Sequence, residues 1–266
     1  MSNQIFTYVK CYLPNNFYLL TKSSHMFVRR ILYYFEYRIK LPTPNLSEVS
    51  VVSTEEHIDE PSLHGGRLRS FPHVRGNWPS FIYIEYPEQD HLHKTINKLS
   101  NFVSSLNILC NRCDGIHLSL SKTFTIQYHM IKPLSSALQE VLGYIESFEL
   151  FFDSVEVYCN EEKTRTFIAL KADIYSSKIL ANITDKIDDI LDDYKLPKFY
   201  KDPSFHISIL SVNGNKKNDI LRIVEDLNKI LISEADTLLE AVNIEKIILK
   251  TGNKYFQYHL KNNNGV

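Results

Sequence analysis

Two short segments of this 266-residue chain carry the same reactive groups in the same order. One reads Gly115-Ile116-His117-Leu118-Ser119-Leu120-Ser121 and the other Ser204-Phe205-His206-Ile207-Ser208-Ile209-Leu210. In a β-strand residues i and i+2 share a face. His117 and Ser119 therefore point one way, while Ile116, Leu118 and Leu120 point the other. His206 and Ser208 likewise lie opposite Phe205, Ile207 and Ile209. Two imidazoles beside a phosphodiester can serve as base and acid in one in-line step, and a pKa near 6.5 gives either protonation state at neutral pH. On RNA, one histidine would take the ribose 2′-OH proton as that oxygen attacks phosphorus. The other would protonate the departing 5′-oxygen, leaving a 2′,3′-cyclic phosphate with no metal required. The Ser119 and Ser208 hydroxyls would donate to the non-bridging oxygens as charge builds there. The spacing alone leaves this chemistry and a merely structural repeat both open, and it does not say which histidine is base and which is acid.

Both motifs need elements that bring them together, and the hydrophobic pattern supplies these twice. Leu92, Ile96, Leu99, Val103 and Leu106 predict a helix from Glu88. A strand at Ser80–Tyr86 precedes it, and a partner strand to the His117 strand is expected at 123–128. Pro133 is expected to open a second helix, with Leu134, Leu138, Val141, Ile145 and Phe148 on one face. A hairpin follows, 154–158 and 164–172, around the turn Asn160-Glu161-Glu162-Lys163. The second half repeats the order: a helix over 177–194, the His206 strand, a helix over 219–235, and a hairpin of 242–250 and 254–260 about Thr251-Gly252-Asn253. A repeated element order predicts an α+β fold of two pseudo-symmetric lobes, about 88–172 and 177–260. Each is an antiparallel sheet with outer helices, and the two face a central cleft.

The remaining sequence narrows the class. With 30 Lys and Arg against 31 Asp and Glu the net charge is −1, so any nucleic-acid contact must come from a local basic surface. Four cysteines (Cys11, Cys110, Cys113, Cys159) are no disulfide framework for this length and point to a reducing compartment. No apolar run is long enough for a transmembrane helix. Residues 1–38 hold Lys10, Lys22, Arg29, Arg30 and Arg38 against the single acid Glu36. That pattern is compatible with an organelle transit segment and with an aromatic-rich extension packed on the body. Residues 41–62 read as a linker or mobile loop, and 63–266 as the bilobal domain. The stretch from His64 to Trp78, with Gly65, Gly66, Arg67, Arg69, Arg75 and Gly76, suits either a phosphate-contacting loop or a structural turn with Trp78 as a core plug. Cys110-x-x-Cys113 lacks a second ligand pair. His91 and His93 do not share a helix face, and His129 reads as a surface histidine. Asp188, Asp189, Asp192 and Asp193 read as a solvated helix face.

Longer stretches resemble the U6 small nuclear RNA phosphodiesterase family of the two-histidine (2H) phosphoesterases. They are Leu41-Pro42-x-Pro44, His64-Gly65-Gly66-Arg67 through Trp78, His117 to Ser121, Glu162 to Ile168, Phe199 to His206, and Thr251-Gly252-Asn253-Lys254. The resemblance implies a nuclear 3′→5′ exoribonuclease that trims the oligo(U) tail of U6 RNA. It implies catalytic His117 and His206, phosphate-binding Ser119 and Ser208, and Tyr200 as the ring on which the terminal base stacks. Glu161 stands where relatives often carry Gln, with Pro203 and Ser204 beside the same subsite. The implied partner is the 3′ end of RNA, the implied state a monomer, and neither cofactor, metal nor membrane is implied. The first 40 residues match nothing in the family.

Overall fold

The computed structural model describes residues 74–87, 89–233 and 241–262. The extension 1–40, the linker 41–62 and the loop from His64 to His73 lie outside the described residues. In chain order the elements are β1 (Asn77–Glu85), α1 (Asp90–Ser105), β2 (Asn111–Arg112), β3 (His117–Ser119), β4 (Phe124–Gln127), α2 (Tyr128–Leu142), β5 (Phe148–Leu150) and β6 (Phe152–Cys159). They continue with β7 (Arg165–Ala172), α3 (Ile174–Asp193), β8 (His206–Asn213), α4 (Lys217–Leu221), α5 (Val224–Ser233), β9 (Val242–Ile244), β10 (Lys246–Thr251) and β11 (Lys254–His259).

Alternating apolar residues give the strands a dry face, and the expected α+β class holds. The main sheet runs β11-β10-β1-β3-β8-β7-β6, with β4 pairing β1 and β2 pairing β8. All of its ladders are antiparallel. Ile82, Ile84, Leu118, Ile207 and Leu249 are buried in one cluster with Leu92, Ile96 and Leu99 of α1, Leu134 and Leu138 of α2, and Leu180, Ile183 and Ile187 of α3. Burying each such aliphatic side chain contributes about 1.5–3 kcal/mol, so the dry face fixes the register of the motif strands.

Several expectations need correction. The strand at Phe124–Gln127 pairs with β1, Asn77 opposite Gln127 and Ser80 opposite Phe124, and not with the His117 strand. Helix α2 starts at Tyr128, so Pro133 lies inside it rather than opening it. Its buried stripe is Ile131, Leu134, Leu138 and Leu142; Pro133 is exposed, which leaves the carbonyl it cannot bond on the outer side. The helix expected over 219–235 is two helices, broken at 222–223, and Asn228 seats α5 on β6. Its amide oxygen accepts from Val155 N–H at 2.8 Å, and its Nδ2 donates to Val155 and Val224 carbonyls. Val242–Ile244 leaves the expected hairpin to form a separate two-stranded sheet with β5.

The strand pairing also crosses the two halves of the chain. The β6–β7 hairpin of the first half lies beside β8, and the β10–β11 hairpin of the second half lies beside β1. The spatial halves are therefore not the contiguous spans 88–172 and 177–260. The far side of β8 is closed by β7 of the first half, while β3 is flanked by β1, whose own outer edge is closed by β10 of the second half.

Candidate active site

The two motif strands are neighbours in the centre of the sheet. Antiparallel β3 and β8 meet with Leu118 opposite Ile207. That register sets His117 against Ser208 and Ser119 against His206, so each imidazole faces the other motif's hydroxyl across the ladder. Ile116, Leu118, Leu120, Phe205, Ile207 and Ile209 are all buried on the dry side. His117, Ser119, His206 and Ser208 are half-buried on the other. The central convergence expected from the two motifs is what the strands form.

Both imidazoles are held in the same way. His117 Nδ1 lies 2.7 Å from the Gly115 carbonyl, and His206 Nδ1 lies 2.7 Å from the Ser204 carbonyl. A carbonyl only accepts, so Nδ1 donates in each case and Nε2 is left for a proton in transit. Gly115 has φ +62, a left-handed conformation that glycine reaches without strain.

Aromatic rings set the two orientations. Tyr158 of β6 stacks on His206 with centroids 3.8 Å apart and planes at 11°. Tyr83 meets His117 edge-on at 5.5 Å, and Phe81 lies 5.9 Å from it. Burial pushes the His206 pKa below the ordinary histidine value, its hydrogen bond to Ser204 opposes this, and the charge of His117 adds to the lowering. Such repulsion from His117 is what a second imidazole close by should exert on His206.

Further groups border the dyad. Lys171 lies opposite His206 on β7, its Nζ 3.4 Å from Glu156. Tyr200, half-exposed at 49%, stands in the segment leading into β8, with Lys122 Nζ 4.5 Å from its ring centroid. Burial raises the Tyr200 pKa, and the negative charges of Glu161 and Glu162 in the 160–164 turn add to it. Asn160 closes that turn by accepting from Thr164 and Arg165 N–H. Ser204 is fully engaged: its hydroxyl is 2.6 Å from the Tyr158 phenol and its carbonyl holds His206. Pro203, half-buried, precedes it.

Asp188 requires a correction. It is not part of a solvated face; its carboxylate accepts the Phe199 N–H at 2.9 and 3.1 Å. Burial raises its pKa, which that hydrogen bond counters. It thereby ties the Tyr200 segment to α3. The sequence reading also missed Tyr158, Lys171, Lys122, Phe81 and Tyr83. For the strand residues the only signal was alternation, which names a face and not a neighbour. Among the described residues no three His, Cys, Asp or Glu side chains group as metal ligands, and no helix is long and apolar enough to cross a membrane.

The HVSL family, described as an uncharacterised conserved protein, matches residues 40–259. U6 snRNA phosphodiesterase 1 of Drosophila melanogaster is 37% identical over 209 residues, 78% of this chain and 79% of that protein. The chain belongs to the U6 snRNA phosphodiesterase family. The Homo sapiens U6 snRNA phosphodiesterase 1 is 31% identical over 228 residues, 84% of this chain and 85% of that protein. Kluyveromyces marxianus Usb1 has the same fold: TM-score 0.52 at 14% identity, covering 68% of this chain and 98% of that one. Its structure with uridine monophosphate matches with a TM-score of 0.51. The α+β architecture of the chain described above is thus shared with Usb1.

Proposed function

We propose that the chain is a metal-independent 3′→5′ exoribonuclease that trims the oligo(U) tail of U6 small nuclear RNA in the nucleus and leaves a 2′,3′-cyclic phosphate. The observation that carries the reaction is the paired register of the two motifs, with both Nδ1–H groups tied to carbonyls and both Nε2 atoms left for the substrate. His117 and His206 move the two protons. Ser119 and Ser208, each opposite the other motif's histidine, donate to the non-bridging oxygens. Because the two imidazoles are held alike, they can exchange roles if the cyclic phosphate is later opened.

The terminal nucleoside stacks on Tyr200, whose half-exposed ring supports that role. Lys122, above the ring, approaches the same nucleotide. Glu161, an acceptor-only carboxylate, faces base donors such as uracil N3–H, and Pro203 lines the same edge. Ser204 acts through His206 and Tyr158 and is a positioning residue. No described helix could cross a membrane, and a single chain holds every group the reaction needs, in keeping with a monomer.

A time course on 5′-labelled RNA ending in several uridines, with EDTA present, tests this. The expected result is stepwise shortening to ends that resist phosphatase until mild acid opens them. His117→Ala and His206→Ala should each slow trimming by about 10²–10⁴-fold. Loss of trimming in EDTA with rescue by Mg²⁺ would refute the metal-independent mechanism. Opening of cyclic phosphates without shortening would make the chain a 2′,3′-cyclic phosphodiesterase. RNA binding without cleavage, equal in all three proteins, would make it a binding module.

A further inference from the structure

On the far side of His117 from β8, the site-facing positions of three adjacent strands alternate rings and an ammonium. Phe81 of β1 lies 5.0 Å from Tyr83 and 5.9 Å from His117. Lys250 of β10 is in register with Phe81, and Tyr255 of β11 is in register with Lys250. Lys250 Nζ lies 6.0 Å from the Phe81 centroid and 5.2 Å from that of Tyr255. Tyr255 is 56% exposed. The carboxylate on this face of β1, Glu85, is paired with Lys246 at 3.2 Å and so does not oppose an incoming polyanion with its full charge.

We infer that this ladder is a binding track for the retained RNA, the nucleotides immediately 5′ of the scissile phosphate. Their bases stack on Phe81 and Tyr255, and their backbone passes Lys250. The inference rests on the exoribonuclease reading above and extends it. Single-stranded nucleic acid is held sequence-tolerantly by interleaved rings and cations, and this ladder starts in contact with one motif histidine. Tyr200 belongs to the segment that leads into β8, whereas the ladder lies across β3 from that strand. Leaving nucleotide and retained strand thus take opposite sides. With a net charge of −1 over the whole chain, such a local cation–aromatic strip is where RNA affinity can reside.

The test compares kcat/KM on a uridine dinucleotide and on an octanucleotide of the same 3′ end, as a ratio for each protein. The wild type should favour the longer RNA by about tenfold, the worth of one stacked base. Tyr255→Ala and Lys250→Gln should each reduce that ratio several-fold, and Tyr255→Phe and Lys250→Arg should keep it. Wild-type RNA carrying 4-thiouridine upstream of the scissile phosphate should photocrosslink within 246–259, a readout that needs no variant. A wild-type ratio near one, a ratio unmoved by Tyr255→Ala and Lys250→Gln, or crosslinks confined to other segments would overturn the track. If the wild type shortens neither RNA, the exoribonuclease reading itself fails.

Discussion

At the scale of single residues, the site shows how backbone carbonyls and neighbouring rings prepare an acid–base pair. Each histidine is fixed at Nδ1 by the carbonyl two residues earlier, so the strand that presents the imidazole also sets its tautomer. His206 carries the added weight of burial against Tyr158. Its native pKa lies below the unfolded value of about 6.5, so the folded state resists a proton that the unfolded chain accepts. The stability this contributes is present above pH 6.5 and is lost as pH falls through the native pKa of His206. NMR titration of His206 should therefore give a midpoint below 6.5, and His117→Ala should raise it, since the charge of His117 is one cause of the depression. The midpoint should still stay below 6.5, because burial is the larger cause. A midpoint unchanged by His117→Ala would mean that the two imidazoles do not share a field. The four motif residues were legible in the sequence because the period of a strand assigns faces without knowledge of partners. Tyr158 and Lys171 were not, since only the ladder register between β6, β7 and β8 brings them to His206. Asp188 was misread because its helical spacing is that of a solvated face, and the loop that covers it carries no matching pattern.

At the scale of elements, most helices and strands were legible, and the departures have local physical causes. Pro133 was a misleading start signal because α2 takes its dry face from Ile131, one turn earlier than the proline implied. The break between α4 and α5 at 222–223 interrupts no apolar spacing, and the seat of α5 on β6 through Asn228 is a contact no periodicity encodes. The β10–β11 turn shows the opposite case, where a single glycine was a sound marker. Gly252 has φ +56, and a Cβ there would lie 2.6 Å from Trp78 Cε3. Gly252→Ala should cost about 1–2 kcal/mol for the backbone and about 1–3 kcal/mol more for the displaced ring. Gly214, at φ +82 with open space around its missing Cβ, supplies the control: Gly214→Ala should cost only the first amount. Urea denaturation of the two variants checks this, and equal losses would show that Trp78 yields without resistance. The same turn places Lys254 5.9 Å from the Trp78 ring centroid and 6.0 Å from that of Tyr128, so the glycine turn also orders the end of the sheet.

At the scale of the whole molecule, the duplicated order of elements was legible but its closure was not. Both halves do carry a helix, a motif strand, a helix and a hairpin. Contiguous halves would have paired each hairpin with its own motif strand. Instead β7 pairs β8 across the midpoint of the chain, and β10 pairs β1 in return. Sequence pattern cannot distinguish these closures, because both bury the same faces. The fold implies that neither half is a folding unit: a fragment ending at Ala172 leaves β7, β1 and β3 each short of one neighbour, and one starting at Asp173 leaves β8 with none and β10 short of one. Each fragment alone should give the collapsed amide dispersion of an unfolded chain in a ¹H–¹⁵N spectrum, and mixing the two should restore a dispersed spectrum. A fragment that folds alone would contradict the exchange of hairpins. The exchange has a practical side. One motif histidine resides on each fragment, and β8 has no strand partner within its own, so a chain divided after Ala172 would behave as a logical AND: two silent inputs, and a nuclease only where both are made.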